Sequence, residues 1–201
     1  FYQDGTCCVA SGAPIALSST ATSQNLTGTN GGIYSYKVTS LDEAGNATLS
    51  SCSTQILIDT SLPSVSIGAP SAGIVKNSGT AVYTLTYVNA NAITLANGDI
   101  TLNTTGGASC SKAVATLTAS TRSVTLSSCT GNGTVGISVA AATATNVSGS
   151  SAAAAGPSAT ITVDNLAPTA ASSLGWSESA TTNQTNLTAT WTVRSPRQTR
   201  S

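Results

Sequence analysis

One seven-residue motif occurs twice in this chain, and it constrains the architecture more than any other feature. It reads Ile-Asp-Thr-Ser-Leu-Pro-Ser at 58–64 and Val-Asp-Asn-Leu-Ala-Pro-Thr at 163–169, so Asp59 and Asp164 lie 105 residues apart. A period of this length matches one β-sandwich domain and far exceeds the repeat of solenoids or propellers. The motif therefore predicts a string of modules with Asp59 and Asp164 at the joints between them.

Apolar and polar residues alternate along most of the chain, as in Tyr83-Thr84-Leu85-Thr86-Tyr87. Such period-2 runs, separated by turn sequences such as Asn30-Gly31-Gly32 and Gly131-Asn132-Gly133, indicate half-buried antiparallel strands. The Ala-rich stretch 140–155 is interrupted by Thr, Ser and Gly and is interpreted as a strand end followed by a long loop. We expect an all-β fold with central strands near 64–68, 80–88, 92–95, 99–104, 112–119, 123–128, 134–140 and 159–163.

Charged residues make up only 7% of the chain, the net charge is zero, and there is no His. A neutral chain with seven basic residues lacks the electrostatic footprint of a nucleic-acid-binding protein. Without His, neither a Ser-His-Asp triad nor a Cys-His pair can form, and no apolar run surrounds a pair of carboxylates. We therefore expect no enzymatic activity, no nucleic-acid partner and, since no apolar run approaches the length of a membrane span, no span in this chain.

Four of the five cysteines are expected to form two disulfides, with one of Cys7 and Cys8 left over. A zinc site is not expected, because no Cys-x-x-Cys spacing occurs and the chain has no His. Cys110 and Cys129 lie within one predicted module and are expected to pair, whereas Cys52 is expected to pair with Cys7 or Cys8. Disulfides imply an oxidising compartment, so the location is predicted to be extracellular or on the cell surface. The alternative is a cytosolic protein with five buried free thiols.

Two stretches resemble fibronectin type III-like modules of bacterial surface proteins: GGIYSYKVTSLDEAGNATLSS at 31–51 and NLTATWTV at 186–193. The first is similar to the hairpin of the last two strands, the second to the B strand. The middle of the chain, from TAVYTLTYVNANAITLANGDITLN through GPSATITVDNLAP, is similar to bacterial immunoglobulin-like repeats. The resemblance implies antiparallel β-sandwich arrays that extend from a bacterial surface. The Asp-x-x-Gly-Asn turn that such middle modules often carry is absent, and Val147-Ser148-Gly149-Ser150-Ser151 stands instead.

These matches predict one whole immunoglobulin-like module flanked by two partial ones. Residues 1–58 are expected to form a partial fibronectin type III-like module from strand C to its end, 59–164 the immunoglobulin-like module, and 165–193 the start of the next fibronectin type III-like module. The basic tail 194–201 is not expected to belong to the fold. The chain opens in the middle of a module, so we expect it to be a piece of a longer protein, and we expect the strand of Trp191 in one copy to pair beside Tyr34-Tyr36-Val38 of another.

Carboxylates and aromatic residues supply the remaining candidate sites. Asp42, Glu43 and Asn46 cluster in one predicted turn, and together with Asp59 or Asp164 they are the candidate ligands for calcium, a cation that prefers oxygen. The alternative is that these side chains cap turns. No other cofactor is expected. Trp176 has no predicted place, and the residues expected in the core are Tyr34, Tyr36, Val38, Tyr83, Leu85, Tyr87 and Trp191.

The function predicted from these features is that of a structural and adhesive segment, a rigid spacer in an extracellular multi-repeat bacterial protein. Its expected partners are the neighbouring repeat modules. The first alternative is a module that binds a carbohydrate or another host or cell-surface ligand, which an exposed Trp176 beside polar loops would favour. The second alternative is a spacer attached to a secreted hydrolase.

Overall fold

A computed structural model describes residues 2–3, 15–18, 20–177, 183 and 185–192 of the chain. The predicted fold class is confirmed at the level of an all-β protein with several antiparallel sheets. In the described part of the chain, no helix has the length and apolar character needed to cross a bilayer.

The strands fall into three stretches of sequence. The N-terminal segment (2–58) contains β1 Tyr2–Gln3, β2 Ile33–Ser35, β3 Thr39–Leu41, β4 Ala47–Leu49 and β5 Ile56–Leu57. The central segment (64–163) contains β6 Ser64–Ile67, β7 Ile74–Val75, β8 Ala81–Val88, β9 Ala92–Ile93, a 3₁₀ turn Asn97–Asp99, β10 Ile100–Thr104, β11 Ser109–Thr116, β12 Thr121–Thr130, β13 Gly133–Val139, β14 Ala144–Thr145 and β15 Ile161–Val163. The C-terminal segment (169–192) contains β16 Ser172–Trp176 and β17 Ala189–Thr192.

The central segment forms two four-stranded sheets, in the orders β11-β12-β8-β6 and β10-β13-β15-β7. Neighbouring strands are antiparallel, except that β7 runs parallel to β15. β8 shows the physical basis of this arrangement, because its alternate residues Ala81, Tyr83, Leu85 and Tyr87 are buried. Period-2 patterning places these side chains on a single face of the sheet, where burying them stabilises the fold.

One buried cluster contains side chains from both central sheets. It unites Tyr83 and Leu85 of β8 with Val135 and Ile137 of β13 and Ile161 of β15, all with no exposed surface. The prediction that Tyr83, Leu85 and Tyr87 lie in the core is therefore confirmed.

Two phenols of β8 donate hydrogen bonds across this core, one to the segment before β15 and one to the loop after β13. The hydroxyl of Tyr83 donates to the carbonyl of Ala159 at 2.8 Å, and that of Tyr87 donates to Thr143 Oγ1 at 3.1 Å. Burial raises the pKa of both phenols, so both remain protonated donors at neutral pH.

The predicted disulfide between Cys110 and Cys129 is confirmed, with the two Cα atoms 4.1 Å apart. It joins the neighbouring strands β11 and β12 at a β-bulge, where Ser128 has a positive φ of 49°. Cys52 is also disulfide-bonded. Its predicted partners Cys7 and Cys8 lie outside the described residues, as does the basic tail 194–201.

The N-terminal segment forms a three-stranded sheet in the order β1-β2-β5, and β3 and β4 continue β2 and β5 as a hairpin. Tyr34 is buried as predicted, but Tyr36 is 54% exposed and Val38 43% exposed, so their assignment to the core is wrong. Residues 36–38 lie between β2 and β3, outside the strands, and among the described residues no second sheet covers them.

The C-terminal segment is a two-stranded sheet of β16 and β17 in which every strand residue is exposed. The assignment of Trp191 to the core is therefore wrong, because its side chain is 58% exposed. Trp176, which had no predicted place, lies in β16 and is 63% exposed. Within the part of the chain that the structure describes, two strands alone provide no layer against which these rings could pack.

The predicted central strands occur, with different bounds. β11 starts at Ser109 rather than near 112, and β12 extends to Thr130. The two-residue strands β7 and β14 were not predicted. β14 lies inside the stretch interpreted as a long loop and pairs with β9.

Candidate functional site at the joints

The two copies of the repeated motif adopt the same turn. We call residues 59–63 the first joint and residues 164–168 the second joint. In the first joint the amide of Ser61 donates to Asp59 Oδ1 at 3.1 Å, and in the second the amide of Leu166 donates to Asp164 Oδ1 at 3.0 Å. An aspartate that accepts from the amide two residues later forms an Asx turn, so both aspartates cap their own joints.

An asparagine from a glycine-containing turn holds each joint in the same way. The amide of Thr60 donates to Asn30 Oδ1 at 2.7 Å, and the amide of Asn165 donates to Asn132 Oδ1, also at 2.7 Å. Asn30 precedes β2, which pairs with the last strand before the first joint, β5. Asn132 correspondingly precedes β13, which pairs with β15 before the second joint. The repeat seen in the sequence is thus also a repeat of hydrogen-bond geometry.

A second structural repeat is a five-residue loop, at 42–46 and again at 146–150. In each loop the amide of the first residue (Asp42 or Asn146) donates to the carbonyl of the fifth (Asn46 or Ser150). The amide of the fourth residue, a glycine, donates back to the carbonyl of the first. The amide of the fifth residue donates to the side-chain Oδ1 of the first at 2.8 Å. The fourth residue is a glycine with a φ of 85° in Gly45 and 86° in Gly149, a conformation that favours glycine. We call these the first and second Asx-Gly loops.

The loop at 146–150 refines one prediction from the sequence. The resemblance aligns Val147-Ser148-Gly149-Ser150-Ser151 with the Asp-x-x-Gly-Asn turn, whereas the loop with this hydrogen-bond pattern begins one residue earlier, at Asn146. The side-chain oxygen of asparagine accepts the same hydrogen bond as that of aspartate. The turn is therefore present, without its negative charge.

The second Asx-Gly loop sits directly on the first joint. Asn146 Nδ2 donates to the carbonyl of Ser61 at 2.9 Å, and Ser148 Oγ donates to the carbonyl of Asp59 at 2.9 Å. Asn146 and Pro63 are buried. The first joint is therefore held from the N-terminal side by Asn30 and from the central segment by Asn146 and Ser148.

At the second joint, Asn132 takes the place of Asn30, but among the described residues no side chains take the places of Asn146 and Ser148. Asn165 accepts from the amide of Asn77 at 2.7 Å and donates to the carbonyl of Gly131 at 2.7 Å, which fixes it to the central segment. Residues 164–168 are nevertheless all exposed. Residues 164–167 border an open cavity of about 480 Å³ that is also lined by Lys76, Asn77 and Ser78. Among the described residues, no side chain donates to the carbonyls of Asp164 and Leu166, which correspond to those of Asp59 and Ser61.

The candidate calcium ligands act as turn caps and are distributed over three places. Asp42 accepts from the amide of Asn46 at 2.8 Å and from its side chain at 2.7 Å, and these bonds hold the pKa of Asp42 below its usual value. Glu43 is exposed in the same loop, whereas Asp59 and Asp164 cap the two joints. Across the residues that the structure describes, no three His, Cys, Asp or Glu side chains are grouped as a metal site.

The exposure of Trp176 is the observation that the carbohydrate-binding alternative required. Its surroundings differ from that expectation, because the cavity of about 270 Å³ beside it is lined by Leu174, Gly175, Trp176, Ala189, Thr190 and Trp191. Ligand sites orient polar ligands with placed polar groups, and this lining offers only the Thr190 hydroxyl among its side chains apart from the indole N–H groups.

Four residues that hold the joints were missed as functional residues from the sequence: Asn30, Asn132, Asn146 and Ser148. The available signal was that each asparagine lies near a glycine that takes a positive φ, namely Gly31, Gly133 and Gly149. Comparison of the chain with family models, with curated proteins and with solved structures finds no match.

Proposed function

We propose that this chain is a non-enzymatic spacer segment of an extracellular multi-repeat protein, built from β-sandwich modules whose joints are held rigid. The observation that carries the proposal is the first joint, where Asn30 binds from one side and Asn146 and Ser148 bind from the other. A linker with hydrogen bonds to both neighbours transmits orientation, whereas a free linker of five residues would not. The parent protein is proposed to be bacterial on the resemblance of its sequence.

The strand order of the central segment supports an immunoglobulin-like sandwich. With β6, β8, β12 and β11 as strands A, B, E and D, one sheet has the order ABED, and β10, β13 and β15 supply the C, F and G strands of the other. This order supports the arrangement of a constant-type immunoglobulin domain, with β7 as an additional edge strand parallel to β15. The single buried cluster shared by the two sheets also supports this architecture.

The N-terminal sheet supports a related module. Its order β1-β2-β5 corresponds to C-F-G, the order that the sequence resemblance implies. Tyr34, near the start of β2, accepts a hydrogen bond from the amide of Thr29 at 2.7 Å. A tyrosine at the start of strand F that bonds to backbone a few residues upstream is the tyrosine corner of such sandwiches.

An extracellular location is supported by cysteine chemistry. Cys110 and Cys129 form a disulfide, and Cys52 is also disulfide-bonded. Disulfides persist in oxidising compartments and are rare in the cytosol.

The double variant Asn146→Ala/Ser148→Ala is expected to release the first joint in the full chain. Each lost hydrogen bond is worth about 1 kcal/mol, so the orientation of the N-terminal segment should no longer be fixed. Amide ¹⁵N relaxation should give one rotational correlation time for residues 31–57 and 64–163 in the wild type, and a shorter time for 31–57 in the variant.

Val147→Ala is the matched control, because Val147 lies in the same loop with a 56% exposed side chain. It should retain a single correlation time. Separate correlation times in the wild type would refute the rigid joint, as would a double variant that tumbles like the wild type.

A further inference from the structure

The two joints lie at opposite ends of the central segment. The first joint lies beside the loop that follows β13, through Asn146, whereas the second joint lies beside Asn132, which precedes β13. The seven-residue strand β13 therefore separates the joints by about 23 Å along the strand direction. A pull on the two ends of the chain passes through both joints and loads the central segment along its strands.

The strands that receive such a pull are the two that adjoin the joints. β6 begins at Ser64, directly after the first joint, and β15 ends at Val163, directly before the second. β6 pairs with β8 over four residues, and β15 is an inner strand of its sheet, between β13 and β7. Hydrogen bonds between strands run across the strand direction, so under this pull they share the load and do not break one at a time, as they do in a hairpin opened from its end.

The parallel pair of β7 and β15 resists this pull most directly. β7 is connected to the first joint through β6, at its N-terminal end, and β15 is connected to the second joint at its C-terminal end, so opposite pulls slide the two strands past each other. The amide of Thr162 donates to the carbonyl of Gly73 at 2.8 Å, and that of Asp164 donates to the carbonyl of Val75 at 2.9 Å. Val75 and Val163 lie opposite each other and are buried, so sliding also has to withdraw both side chains from the core.

Asn165 of the second joint extends this pair beyond the end of β15. Its side-chain Oδ1 accepts from the amide of Asn77 at 2.7 Å, which adds one more bond to the β7 side after that of Asp164. Its Nδ2 donates to the carbonyl of Gly131 at 2.7 Å, and its backbone amide donates to Asn132 Oδ1 at 2.7 Å. One residue past the strand is thus bound both to the turn that follows β7 and to the turn between β12 and β13.

We infer that the central segment resists tension along the spacer, and that Asn165 distributes this tension at the second joint among β7, β12 and β13. This role rests on the proposed function, because it belongs to a spacer that is pulled from its two ends. With Asn165 in place, a pull that arrives at the second joint reaches three strands besides β15. Each hydrogen bond then carries a smaller part of the force, and the segment unfolds more slowly under load.

The disulfide limits how far the segment extends once it has unfolded. Cys110 and Cys129 are joined across 19 positions, and the residues between them cannot be stretched while the bond is intact. Neither β11 nor β12 adjoins a joint in the sequence, so the bond does not lie between the two loaded strands. Reduction should therefore lengthen the unfolding step by about 65 Å, which is about 3.5 Å for each of the 19 positions.

The test is to hold the full chain by its two ends at constant force and to measure the rate of the unfolding steps. The step of the central segment is identified as the one that reductant lengthens by about 65 Å. In the wild type it should occur as one all-or-none event. Asn165→Ala removes the side-chain bonds to Asn77 and Gly131, and it should make this step about fivefold faster or more at the same force, as expected when a hydrogen bond that opposes the force is lost. The side chain of Asn165 is exposed, so the variant should fold.

Asn103→Ala is the matched control. Asn103 Nδ2 donates to Ser138 Oγ at 2.8 Å and joins β10 to β13, and neither of these strands adjoins a joint. This variant also loses a side-chain hydrogen bond, so its urea midpoint should fall as that of Asn165→Ala does. Its unfolding rate at constant force should nevertheless change by less than about twofold, because the bond between β10 and β13 is still formed when the loaded strands separate.

Two results would overturn the inference. The first is an unfolding rate under force that is no higher in Asn165→Ala than in Asn103→Ala, because Asn165 would then carry no particular part of the load. The second is a wild-type central segment that extends gradually, without a single step. Neither result affects the rigid first joint, because relaxation of the unloaded chain measures that joint separately.

Discussion

Replacing Gly133 by alanine is expected to destabilise the chain by at least about 3 kcal/mol, since a strained backbone conformation and a backbone clash add together. Gly133 has a φ of 143°, which L-residues rarely adopt. A Cβ at this position would overlap the carbonyl oxygen of Thr105 and lie 3.0 Å from Gly106 Cα. These are backbone atoms that cannot rotate away. Urea unfolding followed by far-UV circular dichroism would measure the loss.

Gly98→Ala provides the control for Gly133. An added Cβ at Gly98 has no heavy atom within 4 Å, so its effect should stay within about 0.5 kcal/mol. Because Gly133 follows Asn132 directly, the Ala variant should also disturb the hydrogen bond to Asn165 that holds the second joint. An unfolding midpoint equal to that of the wild type would contradict the close approach of the two turns.

Removing the disulfide with Cys110→Ala/Cys129→Ala is expected to cost about 3 kcal/mol. The bond closes a loop across 19 positions, and an open loop of this size gives the unfolded chain more conformational entropy. Cys129 is fully buried, so the missing sulfur also leaves a gap in the core. The measurement is the urea midpoint of wild type and variant, each with and without reductant.

The reductant series isolates this bond from that of Cys52. Reduction should lower the midpoint of the wild type strongly, whereas in the double variant it reports only on Cys52. If reduction shifts both proteins equally, the bond between Cys110 and Cys129 contributes nothing to stability.

Alternation in the sequence is sufficient to predict the longer strands. β8 alternates over eight residues, and its buried positions are those that the pattern indicates. β7 and β14 have two residues each, too few for any period, and only their partners β15 and β9 place them in sheets.

Alternation assigns a side chain to a face but says nothing of what covers that face. Tyr83 and Trp191 both lie in alternating runs, yet Tyr83 has no exposed surface and Trp191 is 58% exposed. The difference is the opposite sheet, which the central segment has and which the described part of the C-terminal segment lacks. The exposure of Tyr36, Val38 and Trp191 was therefore beyond what a local pattern could predict.

The joints were partly predictable. Asp59 and Asp164 were identified as joint residues by the repeated motif, and each caps its joint. The residues that bind the joints lie far away in sequence, as with Asn146, whose amide group reaches Ser61 over 85 positions. Such pairing depends on how the strands are ordered in the sheets, which local sequence does not encode.

The most direct test of the account is to measure residual dipolar couplings of the wild-type chain on both sides of the first joint. A joint held by Asn30, Asn146 and Ser148 predicts that one alignment tensor fits the amides of residues 31–57 and 64–163 together. Two tensors of different magnitude would show that the segments reorient independently, and would contradict the rigid spacer.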